Sequence, residues 1–187
     1  MEALIELDRI IFEWVNSGIA NKLFDFILPP IRNKLFWLPL YLFIICYFPF
    51  KYKRDGIWLV IGLLCTLAFC DQFSAGLMKP LFNRPRPCHV PEIFNEFILR
   101  VRCGPGKSFI SAHATNHFGI AIFLIQTLRH KYKWILPIAL IWAASISFAQ
   151  VYVGVHYPSD ITVGACSGII IGIFTSSLYK RYFCIEG

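Results

Sequence analysis

Five stretches of this chain are apolar over roughly the length that crosses a bilayer, and few folds are open to such a chain. A hydrocarbon core of about 30 Å takes roughly 17–25 helical residues. The runs cover residues 35–50 (carrying Pro39), 56–82 (interrupted at Asp71), 111–128, 134–155 and 159–179. Backbone polar groups in lipid must be paired within a helix or a closed barrel. The expectation is therefore an all-α fold, a polytopic integral membrane helical bundle of about five transmembrane helices. Composition agrees: 57% of the 187 residues are hydrophobic and 16% charged, against about 45–50% and roughly 25% in soluble domains. A water-soluble enzyme, a disordered chain, a collagen and a coiled coil are excluded on the same figures.

The first thirty-odd residues follow another pattern. Leu4, Leu7, Ile11 and Trp14 recur at helical spacing, with Glu2, Glu6, Arg9, Glu13 and Asn16 on the other side. This predicts an amphipathic helix lying in the membrane interface. A short apolar stretch follows (Leu23, Phe24, Ile27, Leu28), then a break at Pro29 and Pro30. The chain reads as one domain over residues 1–187, with 1–33 as the N-terminal segment and 34–187 as the bundle.

The net charge is +7, from 18 basic and 11 acidic residues, and its placement carries the information. Lys51, Lys53 and Arg54 lie between the first two runs, Arg129, Lys131 and Lys133 between the third and fourth, and Lys180 and Arg181 after the fifth. Five crossings put all three groups on one side, cytoplasmic by the positive-inside rule. The N-terminal helix, the loop over 83–109 and the turn over 156–158 then share the periplasmic or extracellular side of a cell inner (plasma) membrane. The basic residues interleave with apolar runs, which argues for membrane lipids as neighbours and against a nucleic-acid partner. Cys46, Cys65, Cys70 and Cys166 lie inside apolar runs and read as packing residues. Cys88 and Cys103 share the outer loop. An oxidising compartment would join them in a disulfide, contributing on the order of 3 kcal/mol.

Polar groups gather at the outer ends of the spans. Lys79 and Arg86 flank the end of the second, Ser111 and His113 open the third, and His156 and Asp160 straddle the turn between the fourth and fifth. Ionisable groups at such depth are costly and mark function. This set suits phosphoryl transfer, which needs cations around the equatorial oxygens, an in-line nucleophile and an acid for the leaving oxygen. Asp160, four residues beyond His156 across Pro158, is placed to fix that ring's tautomer.

The motif Lys79-Pro-Leu-Phe-Asn-Arg-Pro-Arg86-Pro87 resembles the K-x6-R-P motif of the type 2 phosphatidic acid phosphatase superfamily. Ile110-Ser-Ala-His113 resembles its P-S-G-H motif, and Gln150-Val-Tyr-Val-Gly-Val-His-Tyr-Pro-Ser-Asp160 its R-x5-H-x3-D motif. The resemblance implies that Lys79, Arg86 and Ser111 hold phosphate. His113 would act as general acid, His156 as the nucleophile that becomes a phosphohistidine, and Asp160 as its orienting carboxylate. No metal and no cofactor are implied. Ile110 and Ala112 replace the usual proline and glycine, and Gln150 stands where the family has a phosphate-binding arginine. Gln150 keeps a donor but loses the charge, and Arg84 or Lys107 is the candidate to restore it.

The implied activity is a lipid phosphatase working at the outer face on a phosphate or diphosphate. Carrier-lipid recycling makes undecaprenyl diphosphate the favoured substrate. Phosphatidylglycerophosphate, phosphatidic acid and lipid A are the alternatives, as is transfer of the phosphoryl group to a second lipid. A reading of another class, motivated by Gln150, is a weakened member that only binds lipid phosphate.

Overall fold

The computed structural model describes residues 2–90 and 97–183, with the Glu2 side chain, assigned above to the polar face, outside the described residues. Every regular element among them is helical. Helix α1 (Glu2–Glu13) continues into a π-helical turn (Trp14–Gly18). Helix α2 (Lys22–Ile31) is capped by Asn21, whose side-chain oxygen accepts from the Phe24 backbone N–H at 2.9 Å. Pro29 and Pro30 sit inside the last turn of α2 rather than before its end. Neither ring nitrogen can donate a helical bond, so the helix stops directly afterwards.

Helix α3 (Leu38–Asp71) consists of two helical limbs that meet at a kink at Lys53, with φ 51° and ψ −124°, and the chain folds back there. Gly56 permits the close return, because a Cβ there would lie 2.0 Å from the Phe48 carbonyl oxygen. Pro39 falls in the first turn, where no N–H is required. Past Asp71 the chain does not simply break. It widens into a π-helical segment (Gln72–Met78), resumes as α4 (Lys79–Phe82) and ends at left-handed Asn83, φ 50°. The wider winding changes the rotational phase at which Lys79 emerges.

Helices α5 (Ala112–Leu128), α6 (Ile135–Tyr152) and α7 (Pro158–Tyr182) complete the bundle. The run Leu38–Phe82, α6 and α7 are long and apolar enough to cross a membrane. The first of these bends back at Lys53, and its limb before the bend is shorter than a full crossing needs, so three candidate spans stand among the described residues where five were expected. Helix α5, with 17 residues, lies at the short limit for crossing and is enclosed by α3, α6 and α7. Large apolar side chains such as Phe43, Leu64, Ile141 and Ile170 face outward, as lipid contact requires. So do Cys46, Cys65 and Cys166; of the four cysteines read as packing residues, Cys70 alone is buried.

Glycines set the central seam. Gly164, Gly168 and Gly172, one turn apart on α7, meet the backbone of α5: a Cβ at Gly168 would lie 2.3 Å from the Thr115 carbonyl oxygen, and one at Gly172 2.7 Å from that of Gly119. At the seam's outer end the Ser111 N–H donates to the Asp160 carbonyl at 3.1 Å. The starts of α5 and α7 are thereby held side by side.

The N-terminal segment is more than an anchor. Leu4, Leu7, Ile11 and Trp14 are exposed, consistent with a lipid-facing stripe, while Asp8, Phe12, Val15 and Asn16 are buried against the bundle. Asn16 therefore does not belong to the solvated face. Its Nδ2 donates to the carbonyls of Ile98 (2.9 Å) and Tyr152 (2.8 Å), and its Oδ1 accepts from the Ile98 N–H (2.7 Å).

Gly168→Ala forces a methyl group into the α5–α7 seam and should cost about 1–3 kcal/mol. Thermal unfolding in detergent should show a lowered midpoint together with lowered activity. Ile170→Ala, on the lipid-facing side of the same helix, should leave both nearly unchanged.

Candidate active site

His156 lies in the turn after α6 and Asp160 in the first turn of α7, 2% and 0% exposed. Pro158 starts the helix, and the Tyr157 backbone N–H donates to Asp160 Oδ2 at 2.9 Å, which fixes the carboxylate at the helix N-terminus. His156 Nδ1 faces Asp160 Oδ2 at 3.4 Å. With Nδ1 turned to the carboxylate, Nε2 is the nitrogen left for chemistry.

A buried carboxylate must be compensated. Asp160 has four partners: the Tyr157 N–H, His156, the Ser108 hydroxyl and Arg84. Ser108, fully buried and absent from the motif reading, also lies 3.4 Å from His156 Nδ1. Its donation to Asp160 is one that a serine in an unremarkable loop gives no sequence sign of.

Arg84, the candidate to restore the charge missing at Gln150, is engaged by carboxylates in the structure. Its Nη1 donates to Asp160 Oδ1 (3.0 Å) and Ser159 Oγ (2.7 Å), and its Nη2 to Asp8 Oδ2 (2.7 Å). The guanidinium also stacks 4.0 Å from the Tyr157 ring centroid. Asp8 in turn accepts from the Ser159 N–H at 2.8 Å. With two carboxylates and a ring face engaged, Arg84 buttresses Asp160 and ties it to α1.

The cations beside the histidines are differently placed. Lys79 and Arg86 both act electrostatically on His156, and Lys79 and Arg32 on His113. All three cationic side chains belong to half-buried residues. Among the described residues none is within ion-pair distance of a carboxylate, whereas Arg9, Arg84 and Arg100 each are. Burial pushes the Arg32 and Arg86 guanidinium groups down from their ordinary values, and Arg86 adds repulsion to Arg32. Both stay charged at neutral pH, since guanidinium starts so high. Positive charge collected beside two histidines, with Asp160 acting on Lys79 and Arg86 only from beyond ion-pair distance, suits an anion.

Ser111 is buried and caps α5, its oxygen accepting from the Ala114 N–H at 3.4 Å. Its hydroxyl proton stays available for donation. Gln150 is fully buried, and its Oε1 accepts from Arg32 Nε at 3.2 Å. Gln150 Nε2 and Arg86 Nε are buried donors with no partner.

His113 sits one turn before His117 on α5, the two rings parallel with centroids 6.1 Å apart. His117 is engaged on both nitrogens, Nδ1 by the His113 carbonyl (2.7 Å) and Nε2 by the Tyr41 hydroxyl (3.4 Å). Among the described residues His113 has no such partners, and it lines a groove of about 770 Å³ between α3 and α5. Leu64, Tyr41 and Trp142 form its apolar wall, and Asp71 and Asn116 bring polar groups to it. Asn116 Nδ2 donates to Asp71 Oδ1 at 3.4 Å, while Asn116 Oδ1 and Trp142 Nε1 are buried and unpartnered.

Cys88 and Cys103 are bridged, with Cα atoms 6.1 Å apart, closing the loop that begins just after Arg86. Among the described residues the grouping of metal-type ligands is Cys88, His89 and Cys103. Its two sulfurs are bonded to each other, so it offers no thiolates.

The PAP2 superfamily pattern matches residues 55–184. The lipid A 4'-phosphatase of Porphyromonas gingivalis is 32% identical over 185 residues, 96% of this chain and 75% of that protein. The lipid A 4'-phosphatase of Bacteroides thetaiotaomicron is 31% identical over 172 residues, 90% of this chain and 75% of that protein. The crystal structure of a transmembrane PAP2-type phosphatidylglycerolphosphate phosphatase from Bacillus subtilis superposes with a TM-score of 0.76 at 22% identity, covering 100% of this chain and 90% of that one. At that identity the likeness concerns the fold.

Burial pushes the His156 imidazole below its ordinary 6.5, and Asp160 opposes the shift. Folding therefore favours the neutral ring, and the stability this gives is present above about pH 6.5 and lost as pH falls below it. The acid limb of kcat/KM should accordingly have its midpoint below 6.5. Asp160→Asn removes the group that holds the value up, so it should move that limb lower still while reducing kcat at least about 100-fold.

Proposed function

The chain belongs to the PAP2 superfamily, and on that premise we propose that it removes the 4'-phosphate of lipid A at the outer face of the inner membrane. It is a multi-pass membrane phosphatase. The observation that carries the substrate assignment is the groove reaching the site at His113. Its wall of Leu64, Tyr41 and Trp142 is apolar enough for acyl chains, while Asp71, Asn116 and Lys34 line it with polar side chains. A phosphorylated sugar with amide and hydroxyl groups can bond such side chains, and a bare polyprenyl chain has no groups to do so. The relatives matched along most of the chain support the same reading, so lipid A replaces undecaprenyl diphosphate as the favoured substrate.

In this reading Lys79, Arg86 and the Ser111 hydroxyl hold the phosphate oxygens. His156 Nε2 attacks phosphorus as the bond to the sugar oxygen breaks, and His113 gives its proton to that oxygen. The result is a phosphohistidine and a free sugar hydroxyl. Water then attacks phosphorus, His113 takes back a proton, and inorganic phosphate leaves with His156 restored. Asp160 keeps the Nδ1 proton in place throughout, and Arg84, Ser108 and Asp8 keep Asp160 in place. These residues need no metal to perform either step. The weakened-member reading rested on the charge missing at Gln150, and Arg32 beside Gln150 removes that motive.

Purified protein in detergent should release inorganic phosphate from the 4'-position of lipid A faster than from undecaprenyl diphosphate, phosphatidylglycerophosphate or phosphatidic acid. His156→Ala should reduce release at least about 1,000-fold. Faster turnover of undecaprenyl diphosphate would contradict the assignment. Appearance of the phosphate on a second lipid instead of in solution would make the protein a transferase.

A further inference from the structure

The third motif begins with a buried Gln150 where the family has arginine, yet the site is not short of a cation there. Arg32, at the C-terminal end of α2, reaches across 118 residues of sequence to donate from Nε to Gln150 Oε1 at 3.2 Å. Its guanidinium is half-buried, has no ion pair among the described residues, repels Arg86 and acts on His113. Beside it, Gln150 Nε2 is a buried donor with no acceptor. Ordinary structural arginines in this chain look different: Arg84 and Arg100 each sit against a carboxylate.

Folding leaves an arrangement of this kind in place only when something anionic completes it. Arg32 and Arg86 repel one another, and a phosphate held by both would turn that repulsion into attraction. Gln150 also has a definite task. Its carbonyl takes the Arg32 Nε–H, which fixes the fork and leaves the two terminal nitrogens for the ligand. An arginine at 150 could not accept that bond and would set a second guanidinium against the first. The two positions thus exchange roles as a pair.

We infer that Arg32, brought to the site by the N-terminal segment and oriented by Gln150, is the third phosphate-binding cation of this enzyme. The inference rests on the phosphatase reading above. It makes the N-terminal segment part of the catalytic site, since without α2 the site would keep Lys79 and Arg86 alone.

The test is competitive inhibition by orthovanadate and by inorganic phosphate, with kcat/KM measured on whichever lipid phosphate the wild type hydrolyses. Arg32→Ala should weaken both inhibitors about 10–100-fold and lower kcat/KM about 100-fold. Adding Gln150→Arg to Arg32→Ala should recover at least about tenfold, and Gln150→Ala alone should cost less than Arg32→Ala. Arg32→Lys keeps the charge without the fork and serves where the alanine variant does not fold. It should weaken inhibition about tenfold. Inhibition unchanged in the Arg32 variants, or a double variant no better than Arg32→Ala, overturns the inference. Should the wild type hydrolyse no lipid phosphate, the phosphatase reading fails by itself. The role of Arg32 is then read from vanadate-induced thermal stabilisation, which Arg32→Ala should lose and which, if kept, overturns the inference.

Discussion

Lys79, Arg86 and Arg32 are half-buried positive charges that no carboxylate of the described residues pairs. Charges removed from water are costly unless compensated, and like charges brought together add to that cost. The rest of the molecule reads as the means of holding them there. Helix α3 changes to π-helical winding before Lys79 and stops at Asn83, and the Cys88–Cys103 bridge closes the loop after Arg86. Arg32 is delivered by a helix that two prolines bring to an end. Each device belongs to a different piece of chain, and the cation cluster is what they have in common.

Around those charges the histidine pair is fixed by backbone rather than by long side chains. The glycine seam lets α5 and α7 approach closely enough for the Ser111 N–H to bond the Asp160 carbonyl. His113 and Asp160 therefore sit on neighbouring helix starts, and His156 hangs from the turn between α6 and α7. The N-terminal segment closes the structure through Asp8 to Ser159 and Arg84, Asn16 to Tyr152, Asp25 to Arg100, and Arg32 to Gln150. Every one of these ties spans more than 70 residues of sequence. A surface helix with an apolar lipid stripe thus carries the buttress of Asp160 on its other face.

What the sequence made legible follows from short-range rules. Span lengths came from the thickness of lipid, Pro158 and Asp160 from helix-start chemistry, and the Lys79, Arg86, His113, His156 and Asp160 set from fixed spacings near span ends. What it hid is long-range or depends on the absence of a partner. Ser108 and Asp8 act on Asp160 from loops and helices with no motif of their own. Arg84 stands two residues from Arg86 in one motif, yet among the described residues two carboxylates pair with the first and none lies within ion-pair distance of the second; spacing carries no such distinction. Asn16 looked solvated because its polarity matched its neighbours, and its burial depends on Ile98 and Tyr152, which lie far along the chain. Arg32 follows the prolines, and its bond to Gln150 spans 118 residues, a pairing that no local spacing encodes. The glycines of α7 were visible as letters, but their meaning needs the backbone of α5 opposite them.

The central claim is that these cations form one anion site already present in the folded protein. The most direct measurement is the thermal unfolding midpoint in detergent as inorganic phosphate is raised at constant ionic strength. A single preformed site predicts stabilisation growing with the logarithm of phosphate concentration once the site is filled, reaching about 2.7 kcal/mol at a hundredfold excess over Kd. In the Lys79→Ala/Arg86→Ala protein the midpoint should not move. A wild-type midpoint equally indifferent to phosphate would contradict the account.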